Sequence, residues 1–96
     1  MSYAPKIVLQ LPLSNPDLLS DFVEACIRDR VALIAVVGKN AEHIHDTIDE
    51  IIVGDGSDTS RFILTSFHAD ETIEEVLEFA KICEPAGAQT VELVKL

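Results

Sequence analysis

Basic side chains are the first shortage in this sequence. Seven Lys and Arg stand against 17 Asp and Glu, a formal charge of −10 at neutral pH. No two of the seven lie closer together than Arg28 and Arg30. The clustered cations that a phosphate backbone or an anionic lipid surface requires are therefore missing. Nucleic acid and membrane are excluded as partners on that ground, and a basic protein is the partner whose charge would match. Cysteine is the second shortage. Cys26 and Cys83 are the two present, both at inward positions of predicted helices, so they read as reduced, buried thiols rather than a disulfide framework. Long apolar runs are the third, since none approaches the ~18 residues of a membrane-spanning helix. The opening MSYAPKIVLQLPL lacks the charged, apolar and small-residue layout of a signal peptide, so the expected compartment is the cytoplasm. CxxC, HExxH, GxxxxGKS and GxSxG are all absent, so no metal, no cofactor and no ready-made nucleophile elbow is expected.

What is present is a fold. Residues 31–38, VALIAVVG, hold seven apolar residues before Gly38, and Val31, Ile34, Val36 and Val37 are β-branched. A run of this kind without alternation belongs to a strand covered on both faces, which means a parallel sheet between helices. Before it, KIVLQLPL (6–13) reads as a first strand. A helix follows from an Asn15 cap with Pro16 at its first position, running to about Arg30. After it, Asn40 is placed as the cap of a second helix whose stripe is Ile44, Ile48, Ile51 and Ile52. The turn-rich VGDGSDTS (53–60) ends that helix, with Gly54 as its left-handed terminal residue. RFILTSF (61–67) reads as a third strand. Thr72 and Glu75 have capping-box spacing and open a third helix carrying Val76, Leu77, Phe79, Ala80 and Ile82. Gln89 to Leu96 alternates enough to suit a sheet edge. The prediction is one α/β domain over residues 1–96, a three-layer, Rossmann-like or flavodoxin-like fold with a four-stranded, mostly parallel sheet. The apolar second strand favours order 3-2-1-4, with 2-1-3-4 as the alternative.

In such folds ligands gather outside the carboxyl ends of the strands. That edge would hold Ser14, Lys39, Asn40, Ser66 and His68, the candidate ligand-binding residues; each also has a plain reading as a cap, a solvated charge or a loop residue. Ser66 and His68 are two apart, so they share a strand face if the third strand extends to His68, and a serine needs a base within hydrogen-bond reach to act as a nucleophile. GDGSD (54–58) lies between a helix and a strand, the reverse of a dinucleotide loop, and reads as a tight acidic turn with Arg61 paired to Asp55 or Asp58. His43 and His45 are two apart on a helix and cannot share one ion.

Taken together, FVEACIRD, LIAVVG, IDEIIVGDGSD and RFILTS resemble a small bacterial family described only as a domain of unknown function, over about residues 5 to 95. The resemblance implies a cytoplasmic Rossmann-like domain and brings no activity and no site residues. Two functional expectations follow from the residues themselves. The first is a non-enzymatic interaction or regulatory module that self-associates through the wide third-helix stripe or the last strand. The alternative is a small-ligand or anion-binding domain at the strand-end residues, weakly catalytic at most.

Overall fold

The apolar stretch becomes β2, Leu33–Val37, and all of its residues are buried. A computed structural model describes the chain at residues 3–54, 56, 63–82 and 90–96. In order, the elements are β1 (Lys6–Gln10), a 3₁₀ turn (Pro16–Leu18), α1 (Leu19–Arg28), β2, α2 (Ala41–Val53), β3 (Leu64–His68), α3 (Ile73–Ile82) and β4 (Val91–Val94). The strands form one parallel sheet in the order β3-β2-β1-β4. This is the order that a fully apolar second strand favours, and the flavodoxin-like alternative is excluded.

The two faces of the sheet are covered unequally. Ile7, Leu9, Ile34 and Val36 pack with α1 and α2 through Phe22, Val23, Cys26, Ile48 and Ile52. Val8, Leu33, Ala35 and Val37 pack on the other face with Val76 and Ala80 of α3. Two helices thus lie on one side and one on the other. Cys26 sits wholly inside the first layer. Burial, with Asp29 and Glu92 adding negative potential, pushes its thiol up to about 12, so no thiolate is available at neutral pH.

Several predicted boundaries move, each for a local reason. β1 stops at Gln10 rather than Leu13: the Leu11 N–H still donates to the Val37 carbonyl (2.9 Å), but Pro12 has no N–H to continue the ladder. Asn15 caps as expected, its Oδ1 accepting from the Asp17 N–H at 3.2 Å. It caps the 3₁₀ turn, however, and the α-helix proper begins at Leu19. That helix ends in a Schellman motif. The Val31 N–H reaches the Cys26 carbonyl and the Arg30 N–H reaches that of Ile27, with Arg30 at φ 60°.

Asn40 is the clearest correction. It precedes α2 but takes a left-handed conformation (φ 68°) and makes no side-chain capping bond. A capping side chain needs extended backbone at its own position. Here a tight turn does the work instead, with the Gly38 carbonyl accepting from the Ala41 N–H at 3.1 Å.

At α3 the reading holds in full: the Thr72 N–H donates to Glu75 Oε1 (3.0 Å) and the Glu75 N–H donates to Thr72 Oγ1 (3.1 Å). Those bonds hold the Glu75 carboxyl below its ordinary value. The apolar stripe of α3 divides. Phe79 packs inward against the core, whereas Ile82 is 80% exposed. Among the described residues no helix is long and apolar enough to cross a membrane.

Candidate functional site

Among the described residues β3 is a sheet edge, paired with β2 on one side only. Its five residues, LTSFH, alternate between two environments. Thr65 and Phe67 face α2, where the Phe67 ring lies 5.0 Å from the His45 ring in an edge-on contact. Ser66 and His68 face the α3 side, where the His68 ring lies 4.7 Å from that of Phe79. The strand runs to His68, the condition on which Ser66 and His68 become neighbours.

On the α3 side they are joined. Ser66 Oγ lies 2.9 Å from His68 Nε2, and His68 Nδ1 lies 2.8 Å from Glu71 Oε1. A carboxylate only accepts, so Nδ1 carries the hydrogen toward Glu71. Nε2 of the neutral ring is then an acceptor, and Ser66 donates to it. Hydroxyl, imidazole and carboxylate stand in that order along one hydrogen-bonded line. His68 is only 8% exposed, Ser66 is partly buried, and Glu71 reaches solvent. Sequence reading found the first two members. Glu71 was missed, because a loop residue three positions beyond a strand has no periodicity to place it.

The α2 side holds a hydroxyl and an imidazole too, with a second carboxylate added. Thr65 Oγ1 donates to Asp49 Oδ1 at 2.6 Å, and His45 Nε2 lies 3.0 Å from that threonine oxygen. The hydrogen of Thr65 is committed to the acid, so its oxygen accepts from the imidazole. Asp46 Oδ1 stands 3.3 Å from the other ring nitrogen, Nδ1. Sequence reading set His45 aside with His43 as a failed chelating pair. The available signal was the i, i+4 spacing of His45 and Asp49, which puts both on one helix face. Beside this cluster, α2 and β3 enclose a cleft of about 450 Å³ bordered by Ile52, Val53, Ile63 and Leu64.

The remaining candidates lie elsewhere. Lys39 and Asn40 border a smaller cleft of about 200 Å³ with Leu11, Pro12, Leu13 and Ile44, on the α1/α2 side of the sheet. Ser14 is exposed near the carboxyl end of β4, its N–H donating to the Leu96 carbonyl at 2.6 Å. The five predicted residues thus divide between the two faces: Ser66 and His68 together on the α3 side and Lys39 and Asn40 together near α2, with Ser14 in the loop whose Leu13 and Pro16 border the Lys39 cleft.

One glycine ties the strand ends together. Gly38 has φ 124°, its N–H donates to the His68 carbonyl (3.2 Å), and a Cβ there would lie 3.1 Å from Leu11 Cβ. Of the GDGSD loop, Gly54 caps α2 at φ 60° and Gly56 follows at φ 81°. Asp55, Asp58 and Arg61, and with them the expected ion pair, lie outside the described residues, as does Cys83. Among the described residues no group of three His, Cys, Asp or Glu side chains is placed to hold a metal ion.

Comparison with known proteins gives one family: residues 7–96 match the model of a domain of unknown function, DUF7684. No curated protein and no solved structure matches the chain.

Proposed function

The chain belongs to that family of unknown function, and from its own geometry we propose an interaction module that works through the open edge of β3. The observation that carries this reading is that, among the described residues, no strand pairs with the outer side of β3. The Leu64 N–H donates to Ala32 and the Gly38 N–H donates to the His68 carbonyl, so residues 64, 66 and 68 spend their backbone groups on β2. In a parallel ladder the alternate residues face the other way, which turns the N–H and C=O of Thr65 and Phe67 outward. Soluble proteins usually blunt such an edge with Lys, Pro or a bulge. Within LTSFH there is no charged residue and no proline, and Leu64 and Phe67 are 40% and 44% exposed. The other edge, β4, carries Glu92 and is followed by Lys95.

Charge supports one kind of occupant. Asp46, Asp49, Asp70 and Glu71 flank β3 at its two faces and its end, and the whole chain is strongly acidic. A second copy would bring the same acids to the same rim. An extended segment of a basic partner adds a strand without that repulsion and lays apolar side chains beside Leu64 and Phe67.

The test is a titration of isotope-labelled protein with an extended peptide of alternating Lys and Val. Supporting results are shifts and slowed amide exchange at Thr65 and Phe67, weakened by salt and abolished in Phe67→Lys. Shifts confined to other elements, or none, would overturn the reading. A stable dimer in sedimentation velocity that Phe67→Lys dissociates would make a second copy the occupant instead.

A further inference from the structure

Beyond strand pairing, and at an edge not occupied by a partner strand, we propose that Ser66 is a nucleophile for acyl transfer. His68 is its base, Glu71 is the residue that positions His68, and small activated esters are the substrate class. The two hydrogen bonds of 2.9 and 2.8 Å place a hydroxyl, an imidazole and a carboxylate in the arrangement that activates serine on unrelated folds, where it is recognised by geometry rather than by sequence pattern. On the opposite face of the same strand Thr65, His45 and Asp46 stand in a looser version of that order (3.0 and 3.3 Å), but there the hydroxyl hydrogen goes to a second carboxylate, Asp49, at 2.6 Å, whereas no such acid takes the hydrogen of Ser66 among the described residues.

Access favours the same assignment. α3 lies over β1, β2 and β4, and β3 is reached on this side by Phe79 at the His68 ring. Phe79 lies against the ring of the base, which is buried, while Ser66 is only partly buried and follows an exposed Leu64 along the same face. The Phe67 N–H, directed outward at the free edge, follows the nucleophile in sequence, the position from which many serine hydrolases take one oxyanion donor. Among the described residues only Phe79 is shown packed against the His68 ring, an arrangement that fits a small acyl group and a leaving group that departs easily.

The chemistry balances with water as the second reactant. Ser66 Oγ bonds to the carbonyl carbon while the carbonyl π electrons move to its oxygen, and the serine proton passes to His68 Nε2. Collapse of that adduct breaks the bond to the leaving oxygen, which takes the proton from His68. Water then adds to the acyl-serine with His68 again accepting the proton, and its collapse returns that proton to Ser66 and frees the carboxylic acid.

The experiment is incubation of the intact protein with a fluorophosphonate probe and with p-nitrophenyl acetate, with the modified residue located by mass spectrometry. Labelling at Ser66 is expected, with none in Ser66→Ala and a fall of about 100-fold or more in His68→Ala, the range that general base catalysis supplies. Glu71→Gln should slow labelling less and abolish the low-field proton resonance of His68 Nδ1–H, a signal that a merely structural role would not tie to reactivity. His45→Ala, with circular dichroism to confirm folding, should label at the parent rate. No labelling of the folded parent protein, or labelling at another residue, overturns the proposal. So does a Ser66 labelling rate that the folded His68→Ala variant retains.

Discussion

The two faces of β3 carry similar groups and put them to different use. Each has one hydroxyl and one histidine, with a single carboxylate, Glu71, on the α3 side and two, Asp46 and Asp49, on the α2 side. Under α2 the hydroxyl of Thr65 sits in the middle, giving its hydrogen to Asp49 and receiving one from His45. Under α3 the imidazole of His68 sits in the middle, taking a hydrogen from Ser66 and giving one to Glu71. The first arrangement uses up the hydroxyl; the second leaves its oxygen lone pairs available. What decides between them is where the carboxylate enters. Asp49 comes from a helix alongside the strand and reaches the hydroxyl, whereas Glu71 comes from the loop beyond the strand end and reaches the far nitrogen of the ring.

The comparison is broken most severely at the point both faces share. Gly38→Ala adds a Cβ 3.1 Å from Leu11 at a backbone φ of 124° that alanine resists. Because the Gly38 N–H also anchors the carbonyl of His68, stability should fall by about 1–3 kcal/mol. Chemical denaturation measures this, and an unchanged midpoint would mean that the strand ends are not coupled there. Thr65→Val comes next and separates the faces. It leaves His45 and Asp49 without the hydroxyl that joins them, at a cost of about 1–2 kcal/mol, while the low-field signal of His68 stays in place. Loss of that signal would show that the two clusters depend on each other.

The smallest effect is expected where α3 begins. Thr72→Ala removes half of the capping box and should cost about 1 kcal/mol. It should flatten the acid limb of the stability curve only in part, because the backbone N–H of residue 72, the larger cause of the lowered Glu75 value, remains. Glu75 titrates below its ordinary value in the folded chain, so its stabilisation is present above the ordinary glutamate value and is lost as pH falls through the depressed one. Melting temperatures across the acid range, parent against variant, give the answer.

How much of this was legible beforehand differs by level. The doubly covered β2 follows from VALIAVVG alone, and the strand order follows from β2, since a strand without a polar face belongs inside a sheet. The Thr72–Glu75 cap is a matter of spacing and was legible too. So was the shared face of Ser66 and His68, because strand alternation is fixed geometry. Asn40 was misread because a preference for capping says nothing about whether a Gly38 turn has already set the backbone. Glu71 and the Thr65 cluster could not be placed because each depends on a distance between elements. Periodicity reports which way a side chain faces, not what stands opposite it. The fate of Phe79 belongs to the same class: its place in the helix stripe was readable, its seat on the His68 ring was not.

The pairing of β1 with β4 has a consequence for how the chain is made. Lys6 lies beside Val91 and Leu9 beside Val94, so β1 is synthesised well before β4 and waits for it to complete its ladder. Until then β1, buried on both faces in the finished sheet, presents an open and strongly apolar rim. Closing so long a loop is slow in entropic terms. The interval before β4 docks is therefore when a nascent chain of this sequence is most exposed to pairing with the wrong strand, and the acidity of the whole chain is then its principal protection against its own copies.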